Sequence, residues 1–181
     1  MKLTKKKLAN FAFLIILGLM LYPPTKVYFI RLISFSPSFE KVENQKKITN
    51  INWQLKGLNT KNVNFSTVKN KPVFISFWAT WCPPCMAEMP SMQKLYKDYK
   101  GKVVFLFITN EDWETIAKFY AKHQYNFPTY NQLTSMPKEL ESTTIPATFI
   151  ISKNGKIIVD KKGSANWNSY KIRTLLDNLS Q

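Results

Sequence analysis

The chain has little with which to brace itself covalently or to hold a metal. Among its 181 residues there are two cysteines, Cys82 and Cys85, and one histidine, His123. A framework of structural disulfides is therefore excluded, and with no further cysteine no lipid-anchor site is expected. A structural zinc site takes four ligands. Beyond the pair, the sequence offers only His123 and carboxylates remote in sequence, so zinc is disfavoured. Acidic residues are missing from the first 31 positions, which hold six of the 26 basic residues. The other 20 face all 11 acidic residues and are scattered through ordinary loops. Solvated lysine explains that excess, because no basic helix or nucleic-acid motif accompanies it. No internal repeat or low-complexity tract occurs.

The two cysteines lie in Trp81-Cys82-Pro83-Pro84-Cys85, where the apolar run from Pro72 to Ala79 gives way to a helical pattern. Thiols at that spacing can close a small disulfide across the first turn of a helix. Pro83 suits the first helical position, since its missing N–H would have no intrahelical partner there. Cys82 then caps the helix, where unpaired N–H groups and the positive dipole end favour a thiolate. A static structural disulfide is a poor alternative, because so short a loop removes little denatured-state entropy. The pattern is that of a thiol-disulfide exchanger. Cys82, at an exposed helix start beside Trp81, is the expected attacking thiolate, and Cys85, one turn inward, resolves the mixed disulfide. Glu88 lies three residues further on and shares the face of Cys85, so it is a candidate to take the proton of that thiol. The plainer alternative makes Glu88 a solvated carboxylate at the helix dipole. His123 is read as a surface residue in a last helical turn. Trp78 is read as packing.

Residues 1–33 read as a cytoplasmic tip and membrane anchor. Lys2, Lys5, Lys6 and Lys7 precede the uncharged stretch Leu8 to Tyr22, which leaves the lysines inside and sends the rest outward. That stretch spans ~22 Å at ~1.5 Å per residue, short of a ~30 Å hydrocarbon core. The patch Val27 to Phe35 is expected to complete the crossing across the kink at Pro23-Pro24. A cleaved signal peptide is the alternative, but no small-x-small cleavage site is visible. Residues 34–47 read as a polar tether holding the domain off the membrane, and residues 48–181 as a single domain.

Within that domain, Trp53 to Leu55 and Val63 to Phe65 alternate around Gly57 to Asn62 as a hairpin does. Val73 to Ala79 and Val103 to Thr109 are near-continuous apolar runs, as in strands covered on both faces. Between them Met89, Met92, Leu95, Tyr96 and Tyr99 recur at helical spacing. A second helix is expected from Glu111 to His123, with Trp113, Ile116, Ala117 and Tyr120 facing inward. Tyr125 to Thr144 reads as irregular, with one short helix at Met136 to Leu140. Ala147 to Ser152 and Lys156 to Asp160 flank an Asn154-Gly155 turn. An amphipathic helix from Tyr170 to Leu179 closes the chain.

Phe77-Trp78-Ala79-Thr80-Trp81-Cys82-Pro83-Pro84-Cys85, then Glu88 and Pro90, then Ile145-Pro146-Ala147-Thr148-Phe149-Ile150-Ile151 and the Asn154-Gly155 turn, resemble the membrane-tethered thioredoxin-like disulfide reductases of the TlpA and ResA kind. The likeness covers roughly residues 48 to 181. It implies an α/β thioredoxin fold, a mixed sheet flanked by helices with an extra N-terminal hairpin. It also implies a cis peptide between Ile145 and Pro146 facing the cysteines. Trp81, Ile145 and Pro146 are then candidate substrate-binding residues, the Ile145 backbone being free to pair with a substrate strand; the plainer alternatives make Trp81 packing and Pro146 a strand-start proline. One departure is Ser76, which stands where thioredoxin has a buried acid and removes that proton relay.

The expected function is reduction of protein disulfides outside the cytoplasm, on a single-pass bacterial membrane protein fed by a membrane electron donor. By analogy the substrates extend to apocytochrome c. A monomer is expected, needing neither cofactor nor nucleic acid. Two rivals stay open: a disulfide-forming oxidase, and a metal-binding or copper-delivery module on the same fold. A peroxidase would need a lone peroxidatic cysteine with Thr and Arg helpers, which do not surround Cys82.

Overall fold

The computed structural model describes residues 5–68 and 70–181, so Lys2 of the expected cationic tip lies outside the described residues. Helix α1 runs over Lys5–Leu21 and helix α2 over Pro23–Leu32, with Tyr22 extended between them. The prolines at the start of α2 cannot donate to the preceding turn, so they begin a new helix. The expected single crossing from Leu8 through Phe35 is thus two helices. Among the described residues, no helix is long and apolar enough to cross a membrane. Arg31 of α2 donates from Nε to the Ala87 carbonyl at 3.2 Å, which ties α2 to the folded domain.

Residues 34–47, expected as a polar tether holding the domain off the membrane, lie along the domain. The Asn166 N–H donates to Phe35 O at 3.0 Å, Glu40 N–H to Ile158 O at 2.8 Å, and Ile157 N–H to Lys46 O at 2.8 Å. Pro37 is buried, and a 3₁₀ turn spans Val42–Asn44. The composition is polar because these contacts are made by backbone, which side-chain hydropathy does not report.

Strands β1 (Gln54–Gly57) and β2 (Val63–Asn64) form the expected hairpin, and the one-turn helix α3 (Phe65–Val68) follows. Then come β3 (Val73–Phe77), α4 (Pro83–Tyr99), β4 (Val104–Ile108), α5 (Trp113–His123) and β5 (Thr129–Gln132). A 3₁₀ turn at Lys138–Leu140, β6 (Ala147–Ile151), β7 (Ile157–Lys162) and α6 (Tyr170–Ser180) complete the chain. The seven strands are ordered β2-β1-β5-β4-β3-β6-β7. β3, β4 and β5 run parallel, while β1, β6 and β7 pair antiparallel to their neighbours. This is the expected mixed sheet of a thioredoxin fold, with β5 unforeseen in the stretch read as irregular and α3 taking Phe65, expected in the second hairpin strand, into a helical turn.

Strand alternation divides the core between two faces. Phe74 of β3, Phe105 and Phe107 of β4 and Ile150 of β6 face one cluster, with Met89, Met92 and Leu95 of α4, Ile116 and Tyr120 of α5, and Ile172 and Leu176 of α6. Val73, Ile75, Phe77, Leu106, Ile108 and Phe149 face the other, covered by Trp53, Phe65 and Leu140. β3, β4 and β5 advance in one direction, so right-handed crossovers put α4 and α5 on the same face. Trp113, expected inside, is 38% exposed and meets Tyr120 edge-on at the rim.

Candidate active site

The parallel strand β3 ends at Phe77, and the chain turns through Ala79-Thr80-Trp81 into α4. Cys82 is the N-cap, in extended conformation, and Pro83 and Pro84 occupy the first helical positions. Neither proline has an N–H. The Cys85 N–H, at 3.2 Å, donates to Cys82 Sγ at this cap. The two sulfurs form a disulfide with the Cα atoms 5.2 Å apart. Cys82 was expected at an exposed position, yet it is 3% exposed and Cys85 1%. In the disulfide the Cys82 sulfur is buried against its partner, and the neighbouring Trp81, 70% exposed, holds the outer position.

Glu88 is no solvated dipole charge. It is 2% exposed, on the buried face of α4 beside Cys85. Its Oε2 accepts from Trp167 Nε1 at 2.8 Å and from the Ala165 N–H at 3.2 Å, while Oε1 has no partner among the described residues. Burial pushes its pKa up from 4.5 to about 8, against the opposing pull of the two hydrogen bonds and of Lys161. The shift favours the protonated carboxyl at neutral pH, and Oε1 is the oxygen left without a donor among the described residues. Its environment extends through Ser91, whose hydroxyl donates to Glu88 O at 2.7 Å and accepts from the Trp167 N–H at 3.1 Å.

At Ser76 the buried side chain pairs with the Thr148 hydroxyl at 3.1 Å, so that position holds a neutral hydrogen bond. Ile145-Pro146 is cis. Pro146 is buried and Ile145 half-buried, and among the described residues no backbone hydrogen bond occupies the Ile145 N–H or C=O. Ile145 and Trp81 line one cleft of about 200 Å³, together with Glu111, Gln132 and Met136. The structure thus joins Trp81 and Ile145 on one wall system.

Residues 46–159 match the AhpC/TSA family. The chain belongs to the AhpC/TSA family. Within that family it is similar to the thiol-disulfide oxidoreductase ResA of Bacillus thuringiensis subsp. konkukian, 35% identical over 127 residues, 68% of this chain and 72% of that one. Among solved structures, a DsbF homologue from Corynebacterium diphtheriae superposes with a TM-score of 0.60 at 18% identity, covering 78% of this chain and 91% of that one. StoA from Bacillus subtilis superposes with a TM-score of 0.54 at 22% identity over 68% and 92%. These two establish the fold, and the ResA relatives establish a thioredoxin-like thiol-disulfide oxidoreductase of the expected kind.

Two parts of this AhpC/TSA site were not foreseen from sequence. Trp167 and Ala165 lie 79 and 77 residues beyond Glu88 in a loop without periodicity. Glu111 accepts from the Thr80 N–H at 2.7 Å and the Thr80 hydroxyl at 2.6 Å, fixing the turn that carries Trp81. Its signal was its place just past the carboxyl end of a parallel strand, where α/β folds gather their sites. His123 is exposed in the last turn of α5 as expected, stacked on Tyr125 with ring centroids 5.8 Å apart. Burial and Lys122 lower its pKa. Trp78 is buried and stacked on Tyr120, as packing requires.

Proposed function

We propose that this family member is a membrane-tethered, extracytoplasmic reductant of protein disulfides, and that Glu88 handles the proton of Cys85. The observation that carries the reading is a carboxyl buried three residues after Cys85, held by Trp167 Nε1 and the Ala165 N–H, where burial pushes its pKa up to about 8. A carboxyl raised toward the thiol range can pass a proton either way with little driving force. In the oxidised protein a donor thiolate attacks Cys82 Sγ, the Cys82–Cys85 bond breaks, and Cys85 leaves with the proton of Glu88. A second donor thiolate then attacks the donor sulfur, closing the donor's disulfide and freeing the Cys82 thiolate.

Toward substrate the steps run back. The Cys82 thiolate attacks a substrate disulfide and expels one substrate thiolate. Glu88, now a carboxylate, takes the Cys85 proton, and Cys85 attacks Cys82 Sγ to release the second substrate thiolate. Substrate backbone pairs with Ile145 above Pro146 and rests on Trp81. Apocytochrome c as a substrate rests on the family likeness alone.

A Cys85→Ser variant in the native host tests the reading, because removal of the resolving thiol preserves mixed disulfides on Cys82. The expected catch is extracytoplasmic proteins with a reducible disulfide, absent in the Cys82→Ser control. An empty trap, or one that survives loss of Cys82, overturns it.

A further inference from the structure

Helix α2 has two opposite faces, and the described residues cover only one. Val27, Ile30 and the following Ser34 are half-buried, and Arg31 donates to Ala87 O on α4. At about 100° per residue these positions share one arc. The other arc carries Tyr28, Phe29, Leu32 and Ile33, which are 58%, 46%, 62% and 67% exposed, and Phe35 follows at 82%. No charge interrupts that face, and Lys26 stands at its edge. Contiguous apolar exposure of this kind marks an interaction surface.

We propose that this face of α2 lies in the headgroup layer of a phospholipid bilayer, seating the catalytic domain directly on the membrane surface. The inference rests on the anchor reading above. Three observations choose lipid as the occupant. α2 begins one residue after α1, so the face starts where the apolar helix ends. The uncharged part of α1, Leu8 to Leu21, spans only ~21 Å at ~1.5 Å per residue, and a stretch shorter than the hydrocarbon draws its flank toward the bilayer. Tyr28 is the aromatic type enriched at such interfaces. Because Arg31 holds α4 two residues past Cys85, the seating fixes the height of the disulfide above the membrane, where a membrane-embedded donor must reach it.

The test uses the full chain with Cys82→Ser and Cys85→Ser, carrying in turn Tyr28→Cys, Leu32→Cys, Phe35→Cys or the exposed control Lys118→Cys. Each is labelled with an environment-sensitive fluorophore and reconstituted in phosphatidylglycerol–phosphatidylcholine vesicles. Labels at 28, 32 and 35 are expected to blue-shift, brighten several-fold and be quenched by spin-labelled lipid, while the label at 118 does none of these. If the chain floats with the vesicles but labels at 28, 32 and 35 match the control, this inference fails and the anchor stands. If they are shielded without lipid quenching, a protein covers the face and the inference fails. A chain that does not float overturns the anchor reading together with the seating.

Discussion

Glu88 holds its proton in a pH window where the unfolded chain has lost it, and that has a sign for stability. Its folded pKa, near 8, exceeds the ordinary 4.5, so folding takes up a proton between those values. Stability from this group is therefore full below about 4.5, falls as pH rises toward 8, and is flat beyond. At about 1.4 kcal/mol per unit, the fall amounts to a few kcal/mol. A Glu88→Gln variant keeps an acceptor for Trp167 Nε1 and removes the titration. Chemical denaturation from pH 5 to 8 should show the wild type losing stability relative to the variant. In stopped-flow reduction of a disulfide substrate, the variant should be slower by about a hundredfold, the low end expected from loss of a general base. Its profile should also lack the limb near pH 8. Equal rates and equal denaturation curves would reduce Glu88 to a packing residue. The candidacy of Glu88 was legible because three residues along a helix is one face. Its burial was not, since Trp167 and Ala165 reach it only through the tertiary fold.

Helix α4 begins with two prolines, and that choice governs the reactive sulfur. Cys82 Sγ receives the Cys85 N–H at 3.2 Å, and the two positions between the cysteines have none to offer. Fewer donors leave the thiolate less favoured and the dithiol less stable relative to the disulfide, which makes a reductant. A Pro84→His variant restores one backbone N–H and adds a side-chain donor. Its potential should rise by about 30 mV for each ~1.4 kcal/mol of thiolate stabilisation gained, read by equilibrium with glutathione. A wild-type domain as oxidising as the variant would sink the reductant assignment. The same helix was legible because Met89, Met92 and Leu95 repeat at its period and face the core. β5 was missed for the opposite reason. Thr129-Tyr130-Asn131-Gln132 has no apolar run, and it becomes a strand by bonding β4 on one side and β1 on the other. Such pairing is a property of neighbours distant in sequence, not of the segment.

Across the whole molecule, the path from α2 to the sheet decides whether the catalytic domain swings or is held. Residues 34–47 read as a polar tether holding the domain off the membrane because they are polar and aperiodic, yet their backbone lines β7 and the loop before α6. Asn166 N–H to Phe35 O, Glu40 N–H to Ile158 O, Ile157 N–H to Lys46 O and the Ser36–Ser169 hydroxyl pair at 2.8 Å span the segment. Each such bond nets about 0.5–1.5 kcal/mol, and ordering the segment offsets part of the sum. A soluble domain beginning at Ser34 should therefore be more stable than one beginning at Ile48, by about 1–3 kcal/mol, with a larger denaturant slope from the extra buried surface. The shorter domain also leaves the outer edge of β7 open to pairing with another chain, so it should aggregate more readily. Its redox potential should match that of the longer one, because Cys82, Cys85, Glu88 and Trp167 all lie beyond the cut. Identical denaturation midpoints and slopes for the two domains would show that these contacts do not hold the segment to the domain. The seating of the disulfide above the membrane would then rest on the Arg31 contact alone.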